Sequence, residues 1–271
     1  KICFLKLEKF IEKIRVYLSG KNKIIGHILA SIFGIITPFC SCSAIPLFLG
    51  FLQARIPLGV AFSYLVSAPL SDPVVFALLI SMFSWKIAVL YVAFGVIISI
   101  VVGLIIGAMN MEKEVLIEVK PLDNISYTED GTLFKHRIKE SWDYSVDIFK
   151  KIYLYIIIGV GVGAFIHGFI PEDFISKYAG GDVWYAPIVA VIMGIPMYSN
   201  ALGILPIIEV LTQNGVLIGT ALSFMMAIVA LSLPEAMILK RIISIKLIGI
   251  FFGVVGIAIL LTGYTLNYLV G

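Results

Sequence analysis

Two cysteines separated by one residue are the side chains best suited to chemistry. Cys40 and Cys42 flank Ser41 in an apolar stretch, and Cys3 lies alone near the N-terminus. Two thiols at this spacing can converge on one soft ion, because thiolates select soft metals and metalloids. A helix that begins just after them would favour the thiolate, since its N-terminus carries partial positive charge. The spacing predicts a metal or metalloid site at Cys40 and Cys42, although small buried residues in a tight helix break explain the same pattern.

Small polar residues surround the cysteines. Thr37 and Pro38 precede them, and Ser43 follows them in the run Thr-Pro-Phe-Cys-Ser-Cys-Ser. We expect Ser43 to cap a short helix that starts here, with Pro46 in its first turn, where proline is tolerated. The hydroxyl groups then either bind a solute or only satisfy backbone groups that the helix break frees.

A second segment, Met197-Tyr198-Ser199-Asn200, lies at the matching position 160 residues later. Its thioether, phenol and amide groups would give a facing wall soft and hydrogen-bonding character, although packing explains them equally well. The predicted substrate-binding residues are Thr37, Pro38, Cys40, Ser41, Cys42, Ser43, Met197, Tyr198, Ser199 and Asn200.

Two carboxylates lie beside prolines in apolar segments and are the candidates for proton coupling. Asp72 precedes Pro73 deep within its segment, and Glu235 follows Pro234 at a nearly equivalent place. A charge at the centre of a bilayer costs about 2.5–3.5 kcal/mol or more, so Asp72 is protonated, paired or functional. Glu235 is only five residues before Lys240, and an interfacial salt bridge is the preferred explanation there.

Two histidines, His27 and His167, have no second metal-ligating residue at the sequence spacing typical of a metal site. We interpret both as structural histidines. No phosphate-binding loop stands out, so we do not expect ATP-driven transport within this chain. We also expect no cofactor, no enzymatic activity and no nucleic-acid partner.

The composition decides what kind of scaffold positions these groups. Hydrophobic residues make up 60% and charged residues 14% of the chain, and the mean hydropathy is +1.06. Soluble domains carry roughly 25% charged residues, so the chain is predicted to be embedded in the lipid bilayer. Apolar runs long enough to cross it as helices are Ile87–Met109, Ile152–Ile170, Val216–Leu239 and Leu247–Val270.

The chain repeats itself at an offset of 160 residues. The offset maps Pro46 onto Pro206 and Gln53 onto Gln213, together with several glycines. The run Ile152–Ile170 has no counterpart in the first half, and we expect its partner upstream, in a longer protein.

Two apolar stretches are too short on either side of a proline to span a membrane. Ile24–Leu52 is interrupted at Thr37-Pro38, and Trp184–Ile208 is interrupted at Ile195-Pro196. If both are re-entrant hairpins, 18 of the 20 Lys and Arg residues lie on one side of the membrane, as the positive-inside rule favours. The hairpin tips would then meet near the midplane, where irregular backbone must line a cavity or be packed in protein.

The predicted fold is an all-α polytopic membrane protein with two inverted-topology repeats. Each repeat contains a re-entrant broken helical hairpin and full transmembrane helices. We expect a first repeat over residues 1–110, a cytoplasmic linker with an amphipathic helix over 111–151, and a second repeat over 152–271. The protein is predicted to be a multi-pass protein of the cell (inner) membrane with a cytoplasmic central loop.

Three motifs resemble those of a family of predicted permeases, whose best-known members are ArsP-type organoarsenical exporters. They are Gly34–Phe48, which contains the Cys-Ser-Cys motif, Ser67–Pro73 and Gly194–Asn200. The resemblance covers essentially the whole chain, apart from a first membrane helix that members of the family have. It implies efflux of trivalent organoarsenicals, with Cys40 and Cys42 as arsenic ligands.

The residues themselves indicate a soft, thiophilic solute and leave other functions open. The leading prediction is a secondary permease that exports such a solute through a midplane site. The alternatives are a transporter of another sulfur- or metal-containing solute, a membrane thiol oxidoreductase that uses Cys40 and Cys42, and a membrane subunit that needs a partner.

Overall fold

The computed structural model describes residues 23–37, 41–116 and 184–270. Within these ranges the regular elements are helices, and the only strand-like pairing is an isolated bridge between Val115 and Ile243. The helices are α1 (Lys23–Ile36), α2 (Ser41–Gln53), α3 (Leu58–Leu70), α4 (Pro73–Met82), α5 (Trp85–Ala108), α6 (Ala186–Gly194), α7 (Ala201–Gln213), α8 (Ile218–Ala230), α9 (Leu233–Leu239) and α10 (Ile245–Val270), with a 3-10 turn at Glu112–Glu114. The predicted span Ile152–Ile170, the linker helix and an N-terminal interfacial helix lie outside the described residues.

The all-helical membrane class predicted from composition is confirmed. Four segments of 22 to 26 residues are apolar and long enough to cross a bilayer: Leu58–Met82, Trp85–Ala108, Ile218–Leu239 and Ile245–Val270. In contrast, the described residues of α1 number 14 and those of α2 number 13, or about 20 Å of helix each, which is shorter than a membrane span.

Both central spans are interrupted near their middle. The first changes from α3 to α4 at Ser71-Asp72, and the second changes from α8 to α9 at Leu231-Ser232. The residues of α3 and nearly all of those of α8 are buried, whereas α5 and α10 expose apolar side chains such as Ile97 and Ile257. The interruptions therefore lie in the packed centre of the protein.

The path of α1 and α2 is that of a hairpin. His27 and Ser31 of α1 contact Ser63 and Ser67 of α3 in the same order along both chains, so α1 and α3 run parallel. A short turn after Gln53 leads from α2 into α3. The start of α1 and the end of α2 therefore lie at the same level, the level at which α3 begins.

The second half repeats these elements at the predicted offset. Helices α2 and α7 have the same bounds after 160 is added, and so do α3 and α8. Packing repeats as well. A Cβ atom added to Gly103 would collide with the Ser63 hydroxyl, and one added to Gly263 would meet the hydroxyl of Ser223, the equivalent residue.

The two outer helices α5 and α10 contact each other and run antiparallel. Beyond the end of α5, Leu116 N donates to Ile242 O at 2.8 Å, just before α10 begins. At the other end, Phe83 precedes α5 and lines one pocket with Val270, the last residue of α10. These two antiparallel helices are 160 residues apart and occupy equivalent positions in the sequence repeat.

Candidate functional site: two hairpin tips and two helix breaks

The first predicted break lies where the sequence placed it. Helix α1 ends at Ile36, and the hydroxyl of Thr37 donates to the carbonyls of Phe33 at 2.9 Å and Gly34 at 3.2 Å. Thr37 therefore satisfies backbone groups that the end of α1 frees. Pro38 and Cys40 lie outside the described residues.

Two expectations about the start of α2 are wrong. The helix begins at Ser41, two residues before Ser43, so Ser43 lies in the first turn and is not the capping residue. Pro46 is the sixth helical residue and lies in the second turn. Because proline has no N–H, the carbonyl of Cys42 loses its usual helical partner. The Ser41 and Cys42 side chains lie outside the description.

The second tip joins α6 to α7. Helix α6 ends at Gly194, α7 begins at Ala201, and the residues between them have no regular structure. Met197 is buried, whereas Tyr198 and Ser199 are half-buried. Asn200 is exposed and holds the N-cap position of α7, but its side chain makes no capping bond. The second tip thus presents one buried thioether and several accessible polar groups.

A backbone hydrogen bond joins the second tip to the second helix break. Leu233 N, at the start of α9, donates to Ile195 O at 3.1 Å. In the first half the equivalent of Leu233 is Pro73, which has no N–H to donate. The second tip therefore lies at the depth of the Leu231-Ser232 break.

The first tip lies at the same depth as its own break. Gly34 packs against Ser67 and Ala68, with an added Cβ atom only 2.8 Å from the Ser67 Cβ. Because α1 and α3 run parallel, Thr37 lies one turn further, level with Ser71 and Asp72. Helix α9 contacts α2, and α7 contacts α4. Four half-helices thus begin around one central region.

Asp72 caps one of these half-helices. Its Oδ1 accepts a hydrogen bond from Val74 N at 2.8 Å, and Pro73 occupies the first helical position. The side chain is half-buried. One carboxylate oxygen is therefore engaged in holding the start of α4.

Glu235 lies in the first turn of α9 and is only 2% exposed. Its Oε2 makes no hydrogen bond to any of the residues described, and Lys240 is exposed at the end of the same helix. The expected interfacial salt bridge between them is wrong. The hydroxyls of Ser71, Tyr91 and Ser232 are also buried without a partner. Among the described residues, buried polar atoms without a hydrogen-bond partner are therefore concentrated near the two breaks.

The described residues contain no group of three histidine, cysteine or carboxylate side chains that could hold a metal ion. Cys40 and the thiol of Cys42 lie outside this search, so the metal site predicted for them stays a prediction.

Sequence reasoning missed a set of buried polar contacts in the first half. His27 Nδ1 and Ser63 Oγ are 2.8 Å apart, and Ser31 Oγ and Ser99 Oγ are also 2.8 Å apart. The partner of His27 is a serine 36 residues away, so a search for partners at metal-ligand spacing could not find it. A signal was present in the spacing of Ser63, Ser67 and Ser71, which repeats every four residues on one helix face.

Comparison with known proteins gives the same picture at the level of family. The chain is 24% identical to a UPF0718 protein of Methanocaldococcus jannaschii, over 93% of this chain and 84% of that protein. It is 27% identical to a Streptococcus mutans protein named as a subunit of a two-component membrane permease complex, over 64% of this chain. It is 21% identical to the UPF0718 protein YcgR of Bacillus subtilis, also over 64% of this chain.

The chain spans 56% and 58% of the length of the last two relatives. No solved structure matches the chain. A family described as predicted permease matches residues 7–268, which is nearly the whole chain. With four membrane-length helices and paired helix breaks, the chain therefore belongs to the ArsP-type predicted permease family.

Proposed function

We propose that this protein is a secondary permease that exports a soft, thiophilic solute, such as a trivalent organoarsenical, across the cell membrane. Membership of a predicted permease family and its membrane-length helices support a transporter rather than an enzyme. The solute, the outward direction and the cytoplasmic location of the central loop are parts of the proposal. So is the division into repeats at 1–110 and 152–271 with a linker at 111–151.

The observation that carries the proposal is that two helices at equivalent positions of the sequence repeat, α5 and α10, contact each other and run antiparallel. Helices α5 and α10 run antiparallel, and each half brings a hairpin tip to the depth of a helix break. Inverted repeats with broken helices at mid-depth are typical of secondary transporters, which bind their solute where the half-helices meet. We infer that the two halves are inverted repeats and that the solute binds between their tips.

The chemistry of the tips suits a soft solute. Cys40 and Cys42 would supply thiolates from one side, and Met197 would supply a thioether from the other. Thr37, Ser41, Ser43, Tyr198, Ser199 and Asn200 would complete the lining with hydrogen-bonding groups. Pro38 would keep the first tip out of a helical conformation.

Two carboxylates are placed to couple transport to protons. Asp72 is half-buried at the break of the first span, where its Oδ1 accepts from Val74 N. Glu235 is buried on α9, which contacts α2, the half-helix that contains Cys42. A buried carboxylate without a partner is costly when charged, so it is expected to bind a proton for part of the cycle.

One comparison also favours a second proposal, that this protein works together with a partner subunit. One relative is named as a subunit of a two-component permease complex. If this chain also needs a partner, the purified protein will bind the solute but will not transport it until the partner is added.

The test is uptake of a trivalent phenylarsenical into proteoliposomes or inverted vesicles that contain the purified chain. Wild type and Cys3→Ser should transport the compound equally, because Cys3 is far from the tip in the sequence. Cys40→Ser/Cys42→Ser should reduce the initial rate at least tenfold. Equal rates for this double variant and wild type would eliminate the thiols as ligands. A reversible Cys40–Cys42 disulfide without any flux of solute would favour the thiol oxidoreductase.

A further inference from the structure

A set of buried polar side chains crosses the first half from one membrane face to the central region. We call it the polar ladder and define it as His27, Ser31, Ser63, Ser67, Ser71 and Ser99. All six are at most 4% exposed. They come from α1, α3 and α5 and from the residue that follows α3. Such burial in a membrane protein is costly unless the groups are hydrogen-bonded or functional.

The first rung lies nearest the membrane face at which α1 and α3 begin. His27 Nδ1 is 2.8 Å from Ser63 Oγ. Gly103 of α5 faces this pair, and a Cβ atom placed there would approach His27 Nδ1 to 2.7 Å. Only a glycine leaves room for an imidazole and a hydroxyl between three helices at this point.

The second rung joins three serines one turn deeper. Ser31 Oγ is 2.8 Å from Ser99 Oγ, and Ser67 Oγ donates to the Ser31 carbonyl at 2.8 Å. The donor in the His27–Ser63 bond depends on the imidazole tautomer. Either hydroxyl of the Ser31–Ser99 pair can donate to the other, because each also has a backbone acceptor, His27 O for Ser31 at 2.9 Å and Val96 O for Ser99 at 2.8 Å. Bonds whose polarity can reverse are what a proton relay requires, because each group must both accept and release a proton.

The third rung is Ser71, which is next to Asp72. The Ser71 hydroxyl is buried without a partner and lies opposite Gly95 of α5. Ser63, Ser67 and Ser71 follow each other at intervals of one turn, so the ladder covers about 12 Å along α3. It ends at the carboxylate that caps α4, close to the buried hydroxyl of Tyr91.

The second half makes the same helix contacts without these polar groups. Five of the six ladder positions are apolar there, and the equivalents of His27, Ser31, Ser63, Ser67, Ser71 and Ser99 are Pro187, Val191, Ser223, Ala227, Leu231 and Ile259. Among the described residues, Ser223 donates to the carbonyl of Thr220 in its own helix. Packing of these helices therefore does not require a polar ladder, which is present on one side only.

Few other titratable groups surround the ladder. At His27, α3 presents Ser63, and α5 presents Gly103 and Gly107. The ring of Tyr64 on α3 packs with Phe33 and Phe51. Lys86 and Tyr91 lie in the first two turns of α5, far along that helix from Gly103. Within the described part of the chain, the side-chain hydrogen bond of His27 is to Ser63, a member of the ladder.

We propose that the polar ladder carries protons between the membrane face at which α1 begins and the Asp72 carboxylate at the break of the first span. His27 binds a proton on one ring nitrogen and releases one from the other to Ser63. Each serine hydroxyl accepts a proton and gives up its own, and water molecules enter transiently to connect groups one turn apart. The last hydroxyl, Ser71, delivers a proton to Asp72. The proposal rests on the proposed permease and names the route of its coupling proton.

The experiment uses the purified protein in proteoliposomes with a pH-sensitive dye inside. Proton flux is recorded during arsenical transport and, separately, under an imposed membrane potential without solute. His27→Gln keeps a hydrogen-bonding side chain but does not titrate, and Ser67→Ala/Ser99→Ala interrupts the middle rung. Both should lower proton flux at least tenfold while solute counterflow without a pH gradient stays within twofold of wild type. Ser223→Ala, the matched control in the second half, should change neither.

Normal proton flux in both ladder variants would overturn the ladder and leave the permease intact. The ladder is also overturned if wild type moves solute without protons, or moves no protons in either condition. If wild type moves protons through the ladder under a potential but transports no arsenical, the proposed solute is wrong and the ladder stands. Size-exclusion profiles in detergent identify a variant that fails to fold. Such a variant would also lose solute counterflow, whereas a folded variant with an interrupted ladder would keep it.

Discussion

Leu116 donates its backbone N–H to the carbonyl oxygen of Ile242 at 2.8 Å. A second bond next to it runs from Ser244 N to Glu114 O at 2.9 Å. Together they join the segment after α5 to the segment before α10. Because these helices are equivalent in the sequence repeat, this contact supports the proposal that the two halves are inverted. The proposed site between the tips depends on that relationship.

The close approach of α3 and α5 leads to the first prediction. Gly103→Ala would place a methyl group against the Ser63 hydroxyl, 2.6 Å from Gly59 O and 2.7 Å from His27 Nδ1. We expect a loss of about 1–3 kcal/mol of stability, because the backbone atoms cannot move away cheaply. Thermal unfolding in detergent measures it. Gly253→Ala is the control, since an added Cβ atom meets nothing within 4 Å there; an equal loss in both variants would contradict the account.

The turn between α7 and α8 gives the second prediction. Gly215 has φ of +86°, and Arg55 occupies the equivalent turn with φ of 58°. Gly215→Ala should cost about 1–2 kcal/mol, because a Cβ atom disfavours the left-handed conformation. Gly215→Asn should cost less, since asparagine tolerates this region better. The melting temperatures of the two variants check the order, and Gly249→Ala, in open space, serves as control. A neutral Gly215→Ala variant would contradict the observed turn.

The capping role of Asp72 gives the third prediction. Asp72→Ala removes the acceptor for Val74 N and should lower stability by about 1 kcal/mol. Asp72→Asn keeps an acceptor and should fold normally, yet it should lose proton-coupled transport. Ser232 is the equivalent N-cap in the second half and makes no side-chain capping bond, so Ser232→Ala should leave stability unchanged. Full proton coupling in Asp72→Asn would exclude Asp72 as the coupling group.

The isolation of Glu235 gives the fourth prediction. Glu235→Gln should keep or raise the melting temperature, because it removes a potential charge whose Oε2 has no partner. Lys240→Ala should have little effect, since Lys240 is exposed and not paired with Glu235. Thermal unfolding of both variants decides the matter. A similar destabilisation by each change, and none in addition when they are combined, would reveal an ion pair and contradict the structure.

The sequence predicted the helices and their interruptions well, because membrane helices depend on long apolar runs and breaks depend on proline. The breaks after Ile36 and after Gly194 lie at the predicted prolines. Helix starts were less predictable. Ser43 has the residue type of a cap, but α2 already begins at Ser41, since local propensity does not fix the first helical residue within two positions.

Tertiary contacts account for what the sequence did not reveal. The short distance from Glu235 to Lys240 suggested an ion pair, whereas Glu235 is on the buried face of α9 and Lys240 is exposed. The interpretation of His27 as a structural histidine took no account of a hydroxyl partner on another helix, Ser63. A position-by-position comparison of the two halves in the sequence shows that the polar residues of the ladder occur in the first half. Their interpretation as a connected set requires the contacts between α1, α3 and α5.

The opposite orientation of the two halves is the central claim, and paired labelling tests it most directly. Lys86 and Lys246 are equivalent, exposed residues at the starts of α5 and α10. Each is replaced by cysteine in a protein whose native cysteines are serine, and intact cells or sealed vesicles are treated with a membrane-impermeant maleimide. The account predicts that Lys86→Cys reacts from the outside only and Lys246→Cys from the cytoplasmic side only. Labelling of both from the same side would contradict it.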